Sequence, residues 1–163
     1  LLGFVPPDFL GDYAGTASAA KTLVEGIRLE LERRLPPSDV TVEQLRNRSW
    51  WSGPEIYIVV DDFDMIEGNN NPLKPLVPFL AQAADIGLHV IIARRAAGIG
   101  RSSYEPVLQG LKDAGANGIL LSGDRQEGQV WPGVYLQRLP AGRANWVDKS
   151  GKKHLVQLAF YPE

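Results

Sequence analysis

The sequence predicts an α/β protein with a doubly wound parallel β-sheet and antiparallel edge strands at the C-terminus. Three apolar segments predict the parallel strands, at residues 56–60, 88–93 and 119–121. Segments of helical length separate them, and strand–helix–strand connections of this kind form right-handed crossovers within one sheet. A chain of 163 residues fits one domain, so residues 1–163 are expected to form a single domain.

Helical periodicity predicts four helices. In the first, apolar residues recur every four positions at Leu23, Ile27 and Leu31. The second begins with a capping-box pattern, in which the side chains of Thr41 and Gln44 can each bind the other's backbone N–H group. The predicted helices cover residues 16–35, 41–48, 75–86 and 103–114.

The first strand is apolar at every position from Ile56 to Val60. A strand with one solvated face alternates apolar and polar residues, so this strand is expected to be central and covered on both faces. After Asp124 the pattern changes to short segments, which predict antiparallel strands at the edge of the sheet. These strands are predicted at residues 134–139, 143–147 and 155–160, with a hairpin turn at residues 148–152.

The composition excludes several classes of function. The chain has no cysteine, which excludes disulfides, thiolate metal sites and cysteine nucleophiles. Its net charge of −2 gives no general attraction to nucleic acid or anionic membranes. The sequence has no run of 18 apolar residues, the feature that would predict a membrane span. His89 and His154 are isolated from other metal-ligating or catalytic residue types, so both are predicted to be structural.

Three carboxylates follow the first strand within four positions, at Asp61, Asp62 and Asp64. In doubly wound folds, ligands bind beyond the carboxyl ends of the strands. An apolar strand that ends in an acidic pair is the Walker B pattern of P-loop ATPases, where the first Asp binds Mg²⁺ and a following Glu orients the attacking water. Any strand can also end in Asp because Asp favours turns, and a turn or cap role is predicted for Asp64.

Three longer blocks resemble one family. They read SWWSGPEIYIVVDDFDMI, NPLKPLVPFLAQAADIGLHVIIARR and YEPVLQGLKDAGANGILLSGDRQEG. These blocks resemble the C-terminal ATPase domain of EccC, the FtsK/SpoIIIE-type motor protein of mycobacterial ESX (type VII) secretion systems. The resemblance covers nearly the whole chain and implies a RecA-like domain of the P-loop NTPase class.

The resemblance also implies site residues. Asp61 matches the Walker B aspartate, which would bind Mg²⁺, with ATP as the nucleotide. Asp62 stands where an active motor carries the catalytic Glu. Arg94 and Arg95 stand where related translocases keep polar sensor residues, and Arg125 lies near a place where subunits of such proteins can meet.

For the whole protein, the resemblance implies a cytoplasmic position as the soluble part of a membrane-associated secretion complex. The implied partners are secreted helical-hairpin proteins of the ESX (WXG100) type and neighbouring ATPase domains, and the domains can assemble as a hexamer. DNA is not expected as a partner.

Two departures from the pattern limit the enzymatic interpretation. The sequence contains no G-x-x-x-x-G-K-[ST] loop, and the glycine-containing segment 98–103 lacks the Lys-Ser/Thr pair of such a loop. The P-loop strand is therefore expected upstream of Leu1, and this chain alone is expected to bind ATP weakly. Asp62 is one methylene shorter than Glu, which draws its carboxylate back by about 1.5 Å. Hydrolysis is therefore expected to be slow.

The leading interpretation is a nucleotide-binding ATPase-type domain of type VII secretion, regulatory, weakly hydrolytic and involved in recognising secreted substrates. Two alternatives stay open: an FtsK-like DNA translocase domain, and a non-enzymatic docking module that receives a substrate helix in an apolar groove. Trp50 and Trp51 beside Arg46 and Arg48 could form a partner surface, but packing at the edge of the sheet is the preferred interpretation.

Overall fold

The computed structural model describes residues 5–102 and 104–159, and these fall into two compact units. The first unit holds the described residues of segments 1–58 and 68–89, and the second holds those of segments 59–67 and 90–163. No helix in the described ranges combines the length and the apolar character that a membrane crossing needs.

The first unit contains the helices α1 (Ala17–Arg33) and α2 (Val42–Asn47). The hydroxyl of Thr16 caps α1 by accepting a hydrogen bond from the Ala19 N–H group, at 3.2 Å. The predicted capping box of α2 is present, with Thr41 and Gln44 as its members. The core of this unit is formed by buried apolar side chains of α1 and of the segment before the second strand: Val24, Leu31, Leu73, Leu76, Phe79, Leu80 and Ile86.

The helix predicted at residues 75–86 is a 3-10 helix over Lys74–Gln82. Pro78 lies inside it and has no N–H group to donate, and in an α-helix its ring would clash with the carbonyl of the residue four positions earlier. The side chains of Leu76, Phe79 and Leu80 are still buried as the periodicity predicted.

The strands β1 (Ile56–Val60) and β2 (Leu88–Ile92) form a two-stranded sheet. They run in the same direction, because the Ile56 N–H bonds to Gly87 at one end and the Ala93 N–H bonds to Val60 at the other. Exposure alternates along β1, and Tyr57 and Val59 are 60% and 56% exposed. The expectation that both faces of β1 are covered is therefore wrong for the described residues.

The second unit contains α3 (Ile99–Ser102), α4 (Pro106–Asp113) and a three-stranded antiparallel sheet. In that sheet β6 (Arg143–Val147) lies between β3 (Gly118–Leu120) and β7 (Lys153–Gln157). The strand at 119–121 was expected beside the parallel strands, but β3 pairs with β6 instead. A separate hairpin pairs β4 (Gln129–Trp131), which was not predicted, with β5 (Val134–Tyr135).

Several predicted boundaries shift in this unit. The helix predicted from Ser103 begins at Pro106, because the Glu105 carboxylate caps it by accepting the N–H groups of Val107 and Leu108. Ser103 itself lies outside the described residues. The strand predicted at 134–139 covers two residues only, and the one predicted at 155–160 occupies 153–157, with Phe160 outside the described residues.

The predicted hairpin turn between β6 and β7 is confirmed. One carboxylate oxygen of Asp148 accepts hydrogen bonds from the Ser150 N–H, the Ser150 hydroxyl and the Lys152 N–H groups. These bonds, with that of the Ser150 hydroxyl as the largest influence, lower the pKa of Asp148 to about 2. His154 lies 3.4 Å from the other oxygen of the same carboxylate.

Candidate functional site

The candidate site begins where β1 ends. Asp61 and Asp62 are both exposed, and Phe63 after them is fully buried. The Phe63 N–H donates to the carbonyl of Ala93, which holds the turn against the end of β2. The buried ring therefore anchors a turn that presents the two carboxylates to solvent.

The backbone of Asp62 adopts the left-handed conformation, with φ 50° and ψ 46°. This region disfavours most L-residues, and Asp and Asn enter it more readily than residues with longer side chains. A carboxylate oxygen of Asp61 accepts the Asp62 N–H at 3.1 Å. The structure thus supplies a conformational reason for Asp at position 62, beside the catalytic one that the sequence suggested.

Asp64 lies in the one-turn 3-10 helix Phe63–Met65, and its side chain is also engaged in an ion pair. Its carboxylate oxygen lies 2.6 Å from Nη2 of Arg95, and its other oxygen accepts the Arg95 backbone N–H at 3.2 Å. The hydrogen bond from the Arg95 side chain is the main reason why the pKa of Asp64 lies below its ordinary value. Asp64 and, more weakly, the charge of Asp62 raise the pKa of Arg95.

Arg94 is directed away from solvent and paired with Glu67. Its side chain is 9% exposed, with Nη1 at 2.7 Å from a Glu67 carboxylate oxygen and Nη2 donating to the carbonyl of Ala97. The other Glu67 oxygen accepts the Ser102 hydroxyl at 2.9 Å. Glu67 therefore joins the segment after β1 to the segment after β2 and to α3, a role that no local sequence signal indicated.

The structure brings four of the five predicted site residues to neighbouring strand ends: Asp61, Asp62, Arg94 and Arg95. Asp61 and Asp62 have no ion pair among the described residues, whereas both arginines are paired with other carboxylates. Within the described ranges no cluster of three His, Cys, Asp or Glu side chains could hold a metal by itself. Mg²⁺ in nucleotide sites is bound through one or two carboxylates plus phosphates and water, and the exposed carboxylate of Asp61 fits that requirement.

Arg125, the fifth predicted residue, lies elsewhere in the second unit. Its guanidinium stacks on the ring of Tyr135, 4.6 Å from the centroid. Both residues line a cavity of about 390 Å³ whose lining includes none of the carboxylates that follow β1.

Trp50 and Trp51 pack within the first unit, as the preferred interpretation predicted. Trp50 Nε1 donates to the carbonyl of Arg34 and Trp51 Nε1 to that of Asp85, at 2.7 and 2.8 Å. The buried guanidinium of Arg34 lies 4.6 Å from the Trp51 ring and donates to the carbonyls of Pro54 and Ile86. Sequence reasoning missed Arg34, which connects α1 to the segments that lead into both strands.

The two histidines are both in structural contacts. His89 stacks on Tyr57 with ring centroids 4.2 Å apart and lies 3.0 Å from a Glu55 carboxylate oxygen. His154 contacts the turn residue Asp148. Neither contact points to a metal or a nucleophile.

Comparison with curated proteins identifies relatives along nearly the whole chain. The ESX secretion system protein EccC of Thermomonospora curvata is 46% identical over 148 residues, covering 91% of this chain and 11% of that protein. The ESX-4 secretion system protein EccC4 of Mycobacterium tuberculosis is 39% identical over 163 residues, covering 99% of this chain and 13% of that protein. The chain thus spans a small part of these relatives. No family model matches it.

Comparison with solved structures agrees. A structure of Thermomonospora curvata EccC, comprising ATPases 2 and 3 in complex with a signal sequence peptide, matches with a TM-score of 0.92 and 42% identity. The match covers 99% of this chain and 29% of that chain. It confirms the predicted α/β fold with its parallel and antiparallel strands. The chain is therefore a homologue of the ATPase domains of EccC, the ESX (type VII) secretion system protein.

Proposed function

We propose that this chain forms part of a regulatory nucleotide-binding domain in a type VII secretion ATPase, with Asp61 as the carboxylate that faces a Mg²⁺–ATP complex. The observation that supports the proposal most directly is the distribution of partners around the strand ends. Asp64 and Glu67 are neutralised by arginines, whereas the exposed carboxylate of Asp61 accepts the N–H of its neighbour Asp62 and has no ion pair among the described residues.

In this proposal a phosphate-binding loop outside this chain completes the site, since the sequence contains no G-x-x-x-x-G-K-[ST] motif. The much greater length of the relatives is consistent with such a segment. When bound, Mg²⁺ supplies positive charge that stabilises the transferring phosphoryl group. The residues of this chain contribute the position of the Asp61 carboxylate, which the buried Phe63 anchors.

Slow hydrolysis is the second part of the proposal. Asp62 occupies the position of the catalytic Glu, with a shorter side chain and a left-handed backbone. An error of about 1 Å in the position of a catalytic group can cost roughly a hundredfold in rate. Arg94 and Arg95 would respond to nucleotide only by exchanging their present partners, Glu67 and Asp64.

Recognition of secreted substrates is proposed from the relative that was solved with a signal sequence peptide. The cytoplasmic position, the neighbouring ATPase domains, the hexamer and the membrane complex are part of the same proposal and rest on homology to EccC. No observation favours a DNA translocase, and the described residues do not single out an apolar groove for a docked helix.

The test uses the intact protein that carries this chain. Titration with Mg²⁺–ATP by calorimetry should show one binding site fewer in Asp61→Ala, while the exposed control Asp39→Ala keeps every site. Turnover at the remaining site, measured with the other ATPase sites inactivated, is expected below about 1 per second, the low end of typical enzymes. An unchanged number of sites in Asp61→Ala would refute the nucleotide role, and salt-sensitive DNA binding would favour the translocase.

A further inference from the structure

A second site is suggested by the charge of the cavity at Arg125, in the second unit. The cavity of about 390 Å³ is lined by three cationic side chains, Arg125, Arg138 and Lys153, and by one carboxylate, Asp124. The whole chain carries a net charge of −2, so the charge of the cavity lining is opposite in sign to the net charge of the protein. A lining of this kind attracts an anionic ligand.

The single carboxylate is already engaged. One oxygen of Asp124 accepts the Gln126 N–H at 2.9 Å, and the other lies 3.3 Å from a guanidinium nitrogen of Arg138. These two bonds, that of Gln126 first, hold the pKa of Asp124 below its ordinary value. Asp124 therefore serves as a cap and as the counterion of Arg138.

Arg125 and Lys153 have no such counterion. Among residues 5–102 and 104–159, no carboxylate oxygen lies within 4.0 Å of either side chain's nitrogens. The stacking of Arg125 on Tyr135 also orients its guanidinium before any ligand arrives. A guanidinium that stacks through its face keeps the N–H groups of its edge free for a forked contact with a carboxylate.

We propose that this cavity binds a carboxylate side chain of an acidic peptide segment, with Arg125 and Lys153 as its cationic partners and Tyr135 as the wall beside it. Phosphate sites commonly use backbone N–H groups at a turn or helix start. Here the Gln126 N–H is occupied by Asp124, whose charge also repels a multiply charged phosphate more than a single carboxylate. The inference goes beyond the proposed nucleotide role and does not depend on Asp61.

The test measures fluorescence anisotropy of a labelled peptide, Gly-Ala-Glu-Glu-Ala-Gly, with the intact protein at low salt. The same peptide with Gln in place of both Glu residues is the matched ligand control. A charge-assisted hydrogen bond to a carboxylate supports a preference of about tenfold for the Glu peptide. Equal binding of the two peptides would contradict the proposal.

Substitutions of residues that line the cavity test whether the peptide binds there. Arg125→Gln and Lys153→Gln should each weaken binding of the Glu peptide by about tenfold. Lys152→Gln removes the same charge one residue away, from a side chain that does not line the cavity, and should leave the affinity unchanged. Arg125→Lys keeps the charge but not the fork, so an intermediate loss is expected.

Three further results would overturn the proposal. An effect of Lys152→Gln equal to that of Lys153→Gln would show that general surface charge attracts the peptide. Inorganic pyrophosphate that binds at Arg125 more tightly than the Glu peptide would identify a phosphate site. Full affinity in Arg125→Gln, with thermal unfolding unchanged, would exclude the cavity.

Discussion

The guanidinium of Arg95 and the carboxylate of Asp64, 31 residues apart in the chain, meet at 2.6 Å where the strands β1 and β2 end. Asp64 accepts both a side-chain and a backbone hydrogen bond from this one residue. The pair therefore fixes the segment after β2 relative to the segment after β1, close to the carboxylates proposed to face the nucleotide.

We predict that Asp64 and Arg95 make coupled contributions to the stability of the protein. Asp64→Asn and Arg95→Gln should each lower the melting temperature of the protein, and the double variant should lower it by less than the sum, because the second substitution removes a group that has already lost its partner. Thermal unfolding of the four proteins measures the coupling. Additive shifts would contradict it, and the exposed pair Arg138 and Asp124 offers a comparison with weaker geometry.

The hairpin turn predicts a dependence of stability on pH. The pKa of Asp148 is about 2 in the folded protein, below its ordinary 3.8, so its contribution is present above about pH 4 and is lost as the pH falls toward 2. The urea concentration at the midpoint of unfolding should therefore decrease as the pH falls through this range. In Asp148→Asn this decrease should be smaller. The exposed control Asp39→Asn should show the same decrease of the midpoint as the unsubstituted protein. If Asp148→Asn also shows the same decrease, the turn is not its cause.

Substitutions at position 62 distinguish the backbone conformation of this residue from its proposed catalytic role. Asp62→Gly and Asp62→Asn should keep the stability of the protein, because both residues enter the left-handed region readily. Asp62→Val should cost about 1–2 kcal/mol in unfolding free energy, the penalty of that region for an L-residue with a bulky side chain. Denaturant unfolding measures the difference, and equal stability of the valine and glycine variants would mean that the turn relaxes.

Asp62→Glu tests the proposed catalytic role of the same residue. If the shorter side chain limits hydrolysis, the glutamate should raise the rate of ATP turnover in the intact protein. It should also lower stability, since Glu enters the left-handed region less readily than Asp. An unchanged turnover rate would remove the argument from side-chain length.

Substitution of glycine by alanine is expected to have opposite effects on stability at two positions. A Cβ at Gly100 would lie 2.7 Å from the carbonyl oxygen of Glu127 and 3.1 Å from the Cα of Gly128, so Gly100→Ala should destabilise by about 1–3 kcal/mol. Gly26 lies in α1, and a Cβ at this position would meet no neighbouring atom within 4 Å. Gly26→Ala should stabilise by about 0.5–1 kcal/mol. Denaturant unfolding of both variants checks the contrast.

Local patterns predicted the elements that depend on local energetics. The periodicity of α1, the capping box at Thr41 and the turn at Asp148 each rest on contacts within a few residues, and all three are present. The acidic cluster after β1 was also found, because its position follows from where an apolar strand ends.

Features that depend on distant residues were not predictable in this way. The partner of β3 is β6, and the partners of Arg94 and Arg34 lie 27 and 52 residues away, at Glu67 and Ile86. The exposure of Tyr57 likewise depends on which other segments cover the sheet rather than on the strand's own composition. The 3-10 helix over Lys74–Gln82 contains Pro78, a local feature that helical periodicity does not take into account.

The left-handed backbone of Asp62 has a consequence for how this family can diverge. Under the proposed catalytic role of Asp62, selection on this position acts on two properties at once, the backbone conformation of the turn and the position of the carboxylate. A descendant with Asn or Gly at this position would abandon the carboxylate while retaining the turn that presents Asp61. If Asp61 faces a nucleotide as proposed, such a descendant would lose hydrolysis at this position and keep the carboxylate that meets Mg²⁺, so an inactive site would persist as a sensor.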